Sequence, residues 1–438
     1  MKLNSRILNF EAQPTQVQEF WKVLESRKPG MDEKISQATQ SILHQVQKNG
    51  LKAVLEFRQQ FESIPSTHPL IWNSHELKPP LDEVSESIQR TLNLAKNRIT
   101  VYHSIQKETS KTWSDSDSTF TSHVVPLQRV GVYVPGGKAF YPSSVLMSVI
   151  PAQVAGVKEI TVFTPARSLQ NPVFLYTIQL LNVTRVVATG GAQAVAAAAF
   201  GLGEHLPKQD KMVGPGNIYV ATAKHLCSGI MGTDGFAGPS EILILGDGSS
   251  NPKWIAADLL AQAEHDPQAS SVLVTTSAKE AQEVSQCLEE LLPQCLDRAN
   301  MAKEAWENFG AIIVVPHFSQ LVDIANEICP EHLQVHTQCA QTPEGYEYWT
   351  SQLRTAGAIF LGKFTAEAFG DYLAGPSHVL PTAGTARFAS ALGVYDFTRR
   401  CSVLSMSHRL AQELAQPTSD FAQAEELWAH GLSARMRQ

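Results

Sequence analysis

From Arg129 onward the chain alternates short β-branched runs with stretches of helical periodicity, and that alternation admits few folds. Residues 130–134, 160–163, 185–188 and 211–213 read as strands, with helices beginning after Pro142, Pro172, Gly191 and Gly216. Strand-helix units repeated at this spacing require a parallel sheet whose two faces are covered by the helices. A second series, 242–245, 272–275, 312–315, 333–335 and 358–361, repeats the texture. The expectation is an α/β protein with two Rossmann-like parallel-sheet domains, and 438 residues of which 43% are hydrophobic suffice for two such cores.

The flanking segments read differently. Val17, Phe20, Trp21 and Leu24 fall at helix spacing, as do Ile35, Ile42, Val46 and Leu51, and later Val84, Ile88, Leu92 and Ile99. Residues 1–128 are therefore expected to form a helical lead-in that packs with the second α/β domain, which makes the first one, 129–238, an insertion. The second domain spans 239–380. Beyond Pro381 the alternation ends, and 381–438 is expected to be an extended tail, helical over 419–437.

Composition excludes several classes. A formal net charge of −7, a pI near 6.1 and the absence of basic runs interleaved with aromatics argue against a nucleic-acid partner. The N-terminus lacks the apolar stretch of a signal peptide, and no apolar run reaches membrane-spanning length, so no membrane association is expected. Residues 186–203 come nearest, but Gly190-Gly191 and a block of alanines suit a strand, a tight turn and a close-packed helix. Six cysteines are scattered without a C-x-x-C pair, which fits free thiols in the reducing cytoplasm better than a disulfide framework.

The chemistry-bearing residues are clustered. Four glycine-rich segments, around Gly136-Gly137, Gly190-Gly191, Gly214-Pro215-Gly216 and Gly238-Pro239-Ser240, read as strand-to-helix turns at the edge where open α/β sheets bind ligands. None matches the usual dinucleotide fingerprint. Gln262 and His265 share a helical face just before Asp266-Pro267 stops the helix, so one amide oxygen and one ring nitrogen can aim at a common point. Asp371 and His378 flank a tight turn, and Glu425 and His430 lie in the last helical segment. Together Gln262, His265, Asp371 and His430 would make an N/O site suited to zinc or a similar first-row metal; read alone, each is equally a solvated polar group. Glu331-His332, where a helix gives way to a strand, places two proton acceptors side by side.

These motifs, taken in order, resemble the histidinol dehydrogenase family, zinc enzymes that finish histidine biosynthesis. The resemblance is carried by Tyr133-Val134-Pro135-Gly136-Gly137, Tyr141-Pro142-Ser143-Ser144, Gly190-Gly191-Ala192-Gln193, Val213-Gly214-Pro215-Gly216-Asn217, Gly238-Pro239-Ser240-Glu241, Leu260-Ala261-Gln262-Ala263-Glu264-His265, Pro330-Glu331-His332-Leu333, Gly370-Asp371-Tyr372, His378-Val379-Leu380-Pro381 and Ala429-His430. It implies NAD-dependent oxidation of L-histidinol through L-histidinal to L-histidine. It implies Gln262, His265, Asp371 and His430 as zinc ligands, one ion per subunit, and Glu331 and His332 as the catalytic acid-base pair. Substrate contacts implied are Ser240, His378 and Glu425 together with Gln262, His265, His332, Asp371 and His430. NAD contacts implied are Tyr133, Gln193 and Asn217, which puts NAD on the first domain and zinc on the second. A homodimer is also implied, its C-terminal tail crossing to the partner and placing Glu425 and His430 in the other subunit's site.

Some positions depart from the family pattern: Lys138 after the Gly-Gly turn, Val157 where cysteine is common, Gly235-Phe236 before the Gly-Pro-Ser turn, and Ser377 before His378. None is a ligand or a member of the acid-base pair. Two other readings stand beside the dehydrogenase: a zinc hydrolase in which Glu331 activates water, and a non-catalytic α/β ligand-binding protein. A nucleotide cleft counts against the first, and an intact acid-base pair against the second.

Overall fold

The computed structural model describes residues 6–27, 33–136, 140–235 and 238–438. Two six-stranded sheets and one three-stranded sheet organise the chain. In the first sheet the strand order is Ile71–Asn73, Arg185–Ala188, Glu159–Thr164, Arg129–Tyr133, Lys211–Val213, Gly232–Thr233, all parallel apart from the antiparallel Ile71–Asn73 edge. The second sheet is wholly parallel, in the order Ile7–Asn9, Gly310–Val314, Ser270–Thr275, Glu241–Gly246, His332–His336, Ala358–Leu361.

Burial explains the run-like sequence of the central strands. Ile242, Leu243, Ile244 and Leu245 are all shut off from solvent because helices cover both faces, so both alternating sets of side chains must be apolar. Helix Pro142–Ala155 is apolar around nearly its whole circumference for the same reason. Helix Gly191–Phe200 buries Ala192 through Ala199, and its small side chains let helices Glu33–Asn49 and Ile218–Cys227 approach closely. Helix starts are marked by side-chain caps: Asn171, Asn217, Asn251, Ser277 and Thr342 each accept a backbone N–H of the first turn.

The lead-in divides between the sheets. Strand Ile7–Asn9 and the buried face of helix Pro14–Ser26 join the second sheet, whereas helices Glu33–Asn49, Leu51–Glu62 and Glu86–Ile105 and strand Ile71–Asn73 cover the first. Four strands thus fall within 1–128, where a helical lead-in is expected: these two, each of three residues and too short to display a period of its own, and Lys111–Ser114 and Ser118–Pro126 of the third sheet. After Pro381, Leu392, Val394 and Phe397 still pack into the core of the first sheet.

The third sheet lies outside the α/β pattern. Strands Lys111–Ser114, Ser118–Pro126 and Thr398–Met406 pair antiparallel, with Thr398 opposite Pro126 and Met406 opposite Ser118. Most of its side chains are exposed on both faces, including Trp113 stacked on Phe120 with centroids 5.3 Å apart. Helices His408–Ala424 and Trp428–Arg435 follow and pack against each other. The first begins well before 419 and carries Pro417 inside it. Among the described residues no helix is long and apolar enough to cross a membrane, and all six cysteines are free.

One turn ties the first sheet to the cavity described below. Gly214 has φ +110°, and a Cβ there would lie 2.1 Å from the Tyr133 carbonyl oxygen. Its N–H donates to Asp234 Oδ2 at 2.7 Å and its carbonyl accepts from Lys224 Nζ at 2.8 Å, while Lys224 and Asp234 pair with each other. Gly214→Ala meets both the disfavoured φ and a backbone clash. A loss of about 2 to 4 kcal/mol is expected in denaturant unfolding, and an unchanged midpoint would show that the turn relaxes freely.

Candidate active site

A cavity of about 480 Å³ opens between the two large sheets. The first sheet reaches it with the loops leaving its strands, through Pro135, Pro215 and Asp234; the second reaches it with the loops entering its strands, through Ser240, Glu331 and His332. Carboxyl edge therefore faces amino edge. This corrects the reading of Gly238-Pro239-Ser240 as a strand-to-helix turn at a carboxyl edge: it leads into strand Glu241–Gly246, and a two-residue strand, Gly232–Thr233, precedes it. A glycine-rich loop looks the same in sequence whether the chain is entering or leaving a strand.

Glu331 and His332, the expected acid-base pair, are held by the main-chain polar groups of one residue. Glu331 Oε2 accepts the Glu241 N–H at 2.9 Å, and His332 Nδ1 lies 3.1 Å from the Glu241 carbonyl oxygen, to which it donates. That donation fixes the tautomer and leaves Nε2 as the free acceptor. Nε2 is buried without a hydrogen-bond partner and lies 3.8 Å from Asp371 Oδ1. Burial, with the nearby His265 and His378 rings, pushes the His332 pKa down to about 3, so the imidazole is neutral at physiological pH. Burial and then the charge of Glu241 hold the Glu331 carboxyl well above the usual carboxylate range, with Asp371 adding to the effect.

Gln262 and His265 arrive from the C-terminal end of helix Pro252–Ala263, and Asp371 from helix Glu367–Tyr372. Gln262 is buried, and Asp371 is half-buried, its pKa raised by burial to about 6. His265 opens to the cavity, yet the protein packed around it still lowers its pKa, keeping the ring neutral and able to bind a metal. His332, Glu367 and Asp371 each offer a donor atom, all within 4.8 Å of one another. Three carboxyls with raised proton affinity, Glu331, Glu367 and Asp371, share the cavity with three neutral imidazoles, His265, His332 and His378. A divalent cation would relieve that concentration of like charge, and the oxygen and nitrogen donors suit zinc.

The remaining expected residues are distributed as follows. Ser240 and His378 line the cavity, His378 with its pKa lowered to about 4 by burial. Ser377 sets the turn before it by accepting the Val379 N–H at 3.2 Å, and Val157 is a core residue. Glu425 and His430 are exposed on the C-terminal helix pair and do not reach this chain's own cavity. Tyr133 and Gln193 meet at the start of helix Gly191–Phe200: the Tyr133 hydroxyl accepts the Gly191 N–H at 3.1 Å, and the Gln193 side chain folds over Gly191. Asn217 caps the next helix. All three sit at the carboxyl edge of the first sheet without lining the cavity. Gly235 does line it, while Gly137, Lys138 and Phe236 lie outside the described residues.

Sequence reading missed two residues that hold this site. Glu367 stands four before Asp371, a same-face helical spacing that was available to it. Arg27 gave no signal. It caps helix Pro14–Ser26, and its buried guanidinium donates to the carbonyls of Gln268 (2.6 Å), Ser240 (3.1 Å) and Pro239 (3.3 Å) and pairs with Glu241 at 3.4 Å.

The fold and site define an α/β enzyme with a buried Glu-His pair and a metal-competent donor set at the interface of its two large sheets. Residues 25–438 match the family profile for histidinol dehydrogenase. Histidinol dehydrogenase of Pseudomonas putida is 44% identical over 410 residues, 93% of this chain and 91% of that protein. The Aquifex aeolicus enzyme is 42% identical over 436 residues, 99% of both. The crystal structure of histidinol dehydrogenase from Elizabethkingia anophelis superposes with a TM-score of 0.88 at 31% identity, covering 99% of this chain and 98% of that one. The chain belongs to the histidinol dehydrogenase family.

Removing Arg27 breaks a buried ion pair and strips donors from three carbonyls in the loops around Ser240. Arg27→Ala is expected to cost about 3 to 5 kcal/mol of stability and to lower turnover, since Glu241 holds Glu331 and His332, the expected acid-base pair. Chemical denaturation and steady-state kinetics on the folded fraction check this; wild-type turnover in a destabilised variant would separate Arg27 from catalysis.

Proposed function

We propose that this enzyme oxidises L-histidinol through L-histidinal to L-histidine at the cavity between its sheets, with NAD as hydride acceptor and zinc as the bound metal, one ion per subunit. The observation that carries the reading is the convergence of Gln262, His265, Glu331, His332 and Asp371, drawn from three separate segments, on one cavity. Gln262, His265 and Asp371 are the ligands this chain contributes. Zinc, when bound, supplies a fixed point for the nitrogen atoms of the substrate, and NAD accepts a hydride at each of the two oxidations.

The chain's own residues then manage protons. Oxidation of the alcohol releases the hydroxyl proton as the C–H electron pair leaves. His332 Nε2, neutral and free of other partners, takes that proton. Conversion of the aldehyde to the acid requires the addition of water, whose oxygen attacks the carbonyl carbon while a proton passes to Glu331. A carboxylate with elevated proton affinity is the stronger base for that step. Its hydrogen bond from the Glu241 N–H keeps the acceptor in place. Ser240 and His378 border the same volume and are the groups available to orient the substrate.

We further propose that the active unit is a homodimer in which Glu425 and His430 complete the partner's site. Support comes from the exposed apolar groups on the segment that carries them: Val403, Leu404 and Met406 on the third sheet, and Phe421, Trp428 and Leu432 on the terminal helices. NAD is assigned to the half built on residues 129–238, near Tyr133, Gln193 and Asn217, and the metal and proton chemistry to residues 239–380, with 381–438 as the exchanged tail. Six free thiols support a cytoplasmic location.

Purified protein supplied with zinc, histidinol and NAD is expected to form NADH and histidine, and no NADH above a metal-free control would end the dehydrogenase reading. His332→Asn is expected to lower turnover by about a hundredfold or more while zinc content, read by atomic absorption, stays near normal. Loss of zinc instead would make His332 a ligand. For the shared site, inactive His332→Asn and His430→Asn subunits are mixed by reversible dissociation. One intact site per hybrid dimer restores activity if His430 crosses over, and a mixture as inactive as its components rejects the exchange.

A further inference from the structure

The Glu367 carboxyl faces the Gln262 amide. It opens the short helix Glu367–Tyr372, is only 3% exposed, and stands one turn before Asp371 on the same side. In the orientation that satisfies its hydrogen bonds, the Gln262 amide nitrogen donates to Glu367 Oε1 at 2.5 Å and Oε2 at 3.3 Å. The opposite orientation would set an amide oxygen against two carboxylate oxygens. The backbone of Glu367 is itself anchored, its N–H donating to the amide oxygen of Gln334 at 2.7 Å in the buried strand His332–His336. Its Oε1 also lies 3.5 Å from His332 Nδ1, so one carboxylate borders both the expected ligand and the base.

An amide carries one oxygen and one nitrogen on nearly identical frames, and only the oxygen has a lone pair to offer a cation. A carboxylate that captures the nitrogen end decides which end is left over. We propose that Glu367 is a positioning residue that commits the Gln262 nitrogen and so turns the amide oxygen into a metal donor; this rests on the reading of Gln262 as a ligand. The role is distinct from that of the adjacent donors. Asp371 is expected on the metal itself, whereas Glu367 acts through Gln262.

The test titrates zinc into metal-free protein and reads affinity, with no need for turnover. Gln262→Ala examines the underlying reading: wild-type affinity there rejects Gln262 as a ligand, whatever Glu367 does. With that loss established, Glu367→Gln, whose side-chain amide accepts as readily as it donates, is expected to weaken zinc binding about 10- to 100-fold. The double variant Gln262→Glu with Glu367→Gln presents an oxygen to the metal in either orientation and is expected to restore affinity to within a few-fold of wild type. Wild-type affinity in Glu367→Gln, or failure of the double variant to recover it, overturns the proposal. Should Glu367→Gln not fold, Glu367→Asp keeps the charge but withdraws the carboxylate by one methylene. It is expected to lose affinity likewise, and wild-type binding there overturns the positioning role. Zinc binding lost in Glu367→Gln but intact in Gln262→Ala makes Glu367 itself the ligand and also overturns it.

Discussion

The polar groups of Glu241's main chain hold Glu331 and His332 in place, and the rest of the site is arranged around that constraint. Glu241 begins a central strand, where the parallel ladder to His332–His336 starts with Ile242 opposite His332. Its N–H and carbonyl lie just at the margin of that ladder. Buried backbone groups demand partners, and here the partners are the carboxylate of Glu331 and the ring of His332. One requirement of folding thereby fixes the tautomer of His332 and the position of the Glu331 carboxyl. Arg27 gathers the carbonyls on the far side of the same loop, which links the start of the chain to a site more than two hundred residues away.

Opposed sheet edges give the one cavity two chemically different walls. The first sheet contributes the ends of its strands, where glycine turns and helix N-termini gather N–H donors. Some of those donors are already engaged: Glu62 accepts from the N–H groups of Ala166 and Gly190 as well as from the Thr189 hydroxyl, and the Tyr133 hydroxyl accepts the Gly191 N–H. The second sheet contributes the beginnings of its strands and the C-terminal end of a helix. Carboxylates and imidazoles collect there, at raised and lowered proton affinity respectively. Low polarity around them keeps His332 neutral and gives the carboxyls reason to share a cation.

Much of this was legible along the chain, and the exceptions have physical causes. The strands of both series and the helices after Pro142, Pro172, Gly191 and Gly216 follow from periodicity, which depends only on local backbone geometry and on which side chains must be buried. Ile7–Asn9 and Ile71–Asn73 escaped notice because three residues show no period. The antiparallel pairing of Ser118–Pro126 with Thr398–Met406 joins segments about 280 residues apart that no local rule connects. Gln262, His265 and Asp371 stood out as residue types suited to a metal, and the cavity brings them together. Glu367 carried the right spacing from Asp371, but only its contact with Gln262 gives that spacing meaning.

What the amino-acid sequence determined by itself was the α/β architecture, the inventory of chemically able side chains and, through its motifs, the histidinol dehydrogenase family. Those properties are local or compositional, so they survive reading one residue after another. The tertiary structure alone decided that the Gly-Pro-Ser loop enters a strand rather than leaving one, that Glu241 clamps both Glu331 and His332, that Glu367 faces Gln262, and that Glu425 and His430 stand away from their own chain's cavity. Each of these depends on strand order and register. Such pairings are set by the burial of entire faces against one another, and no segment of the chain encodes them alone.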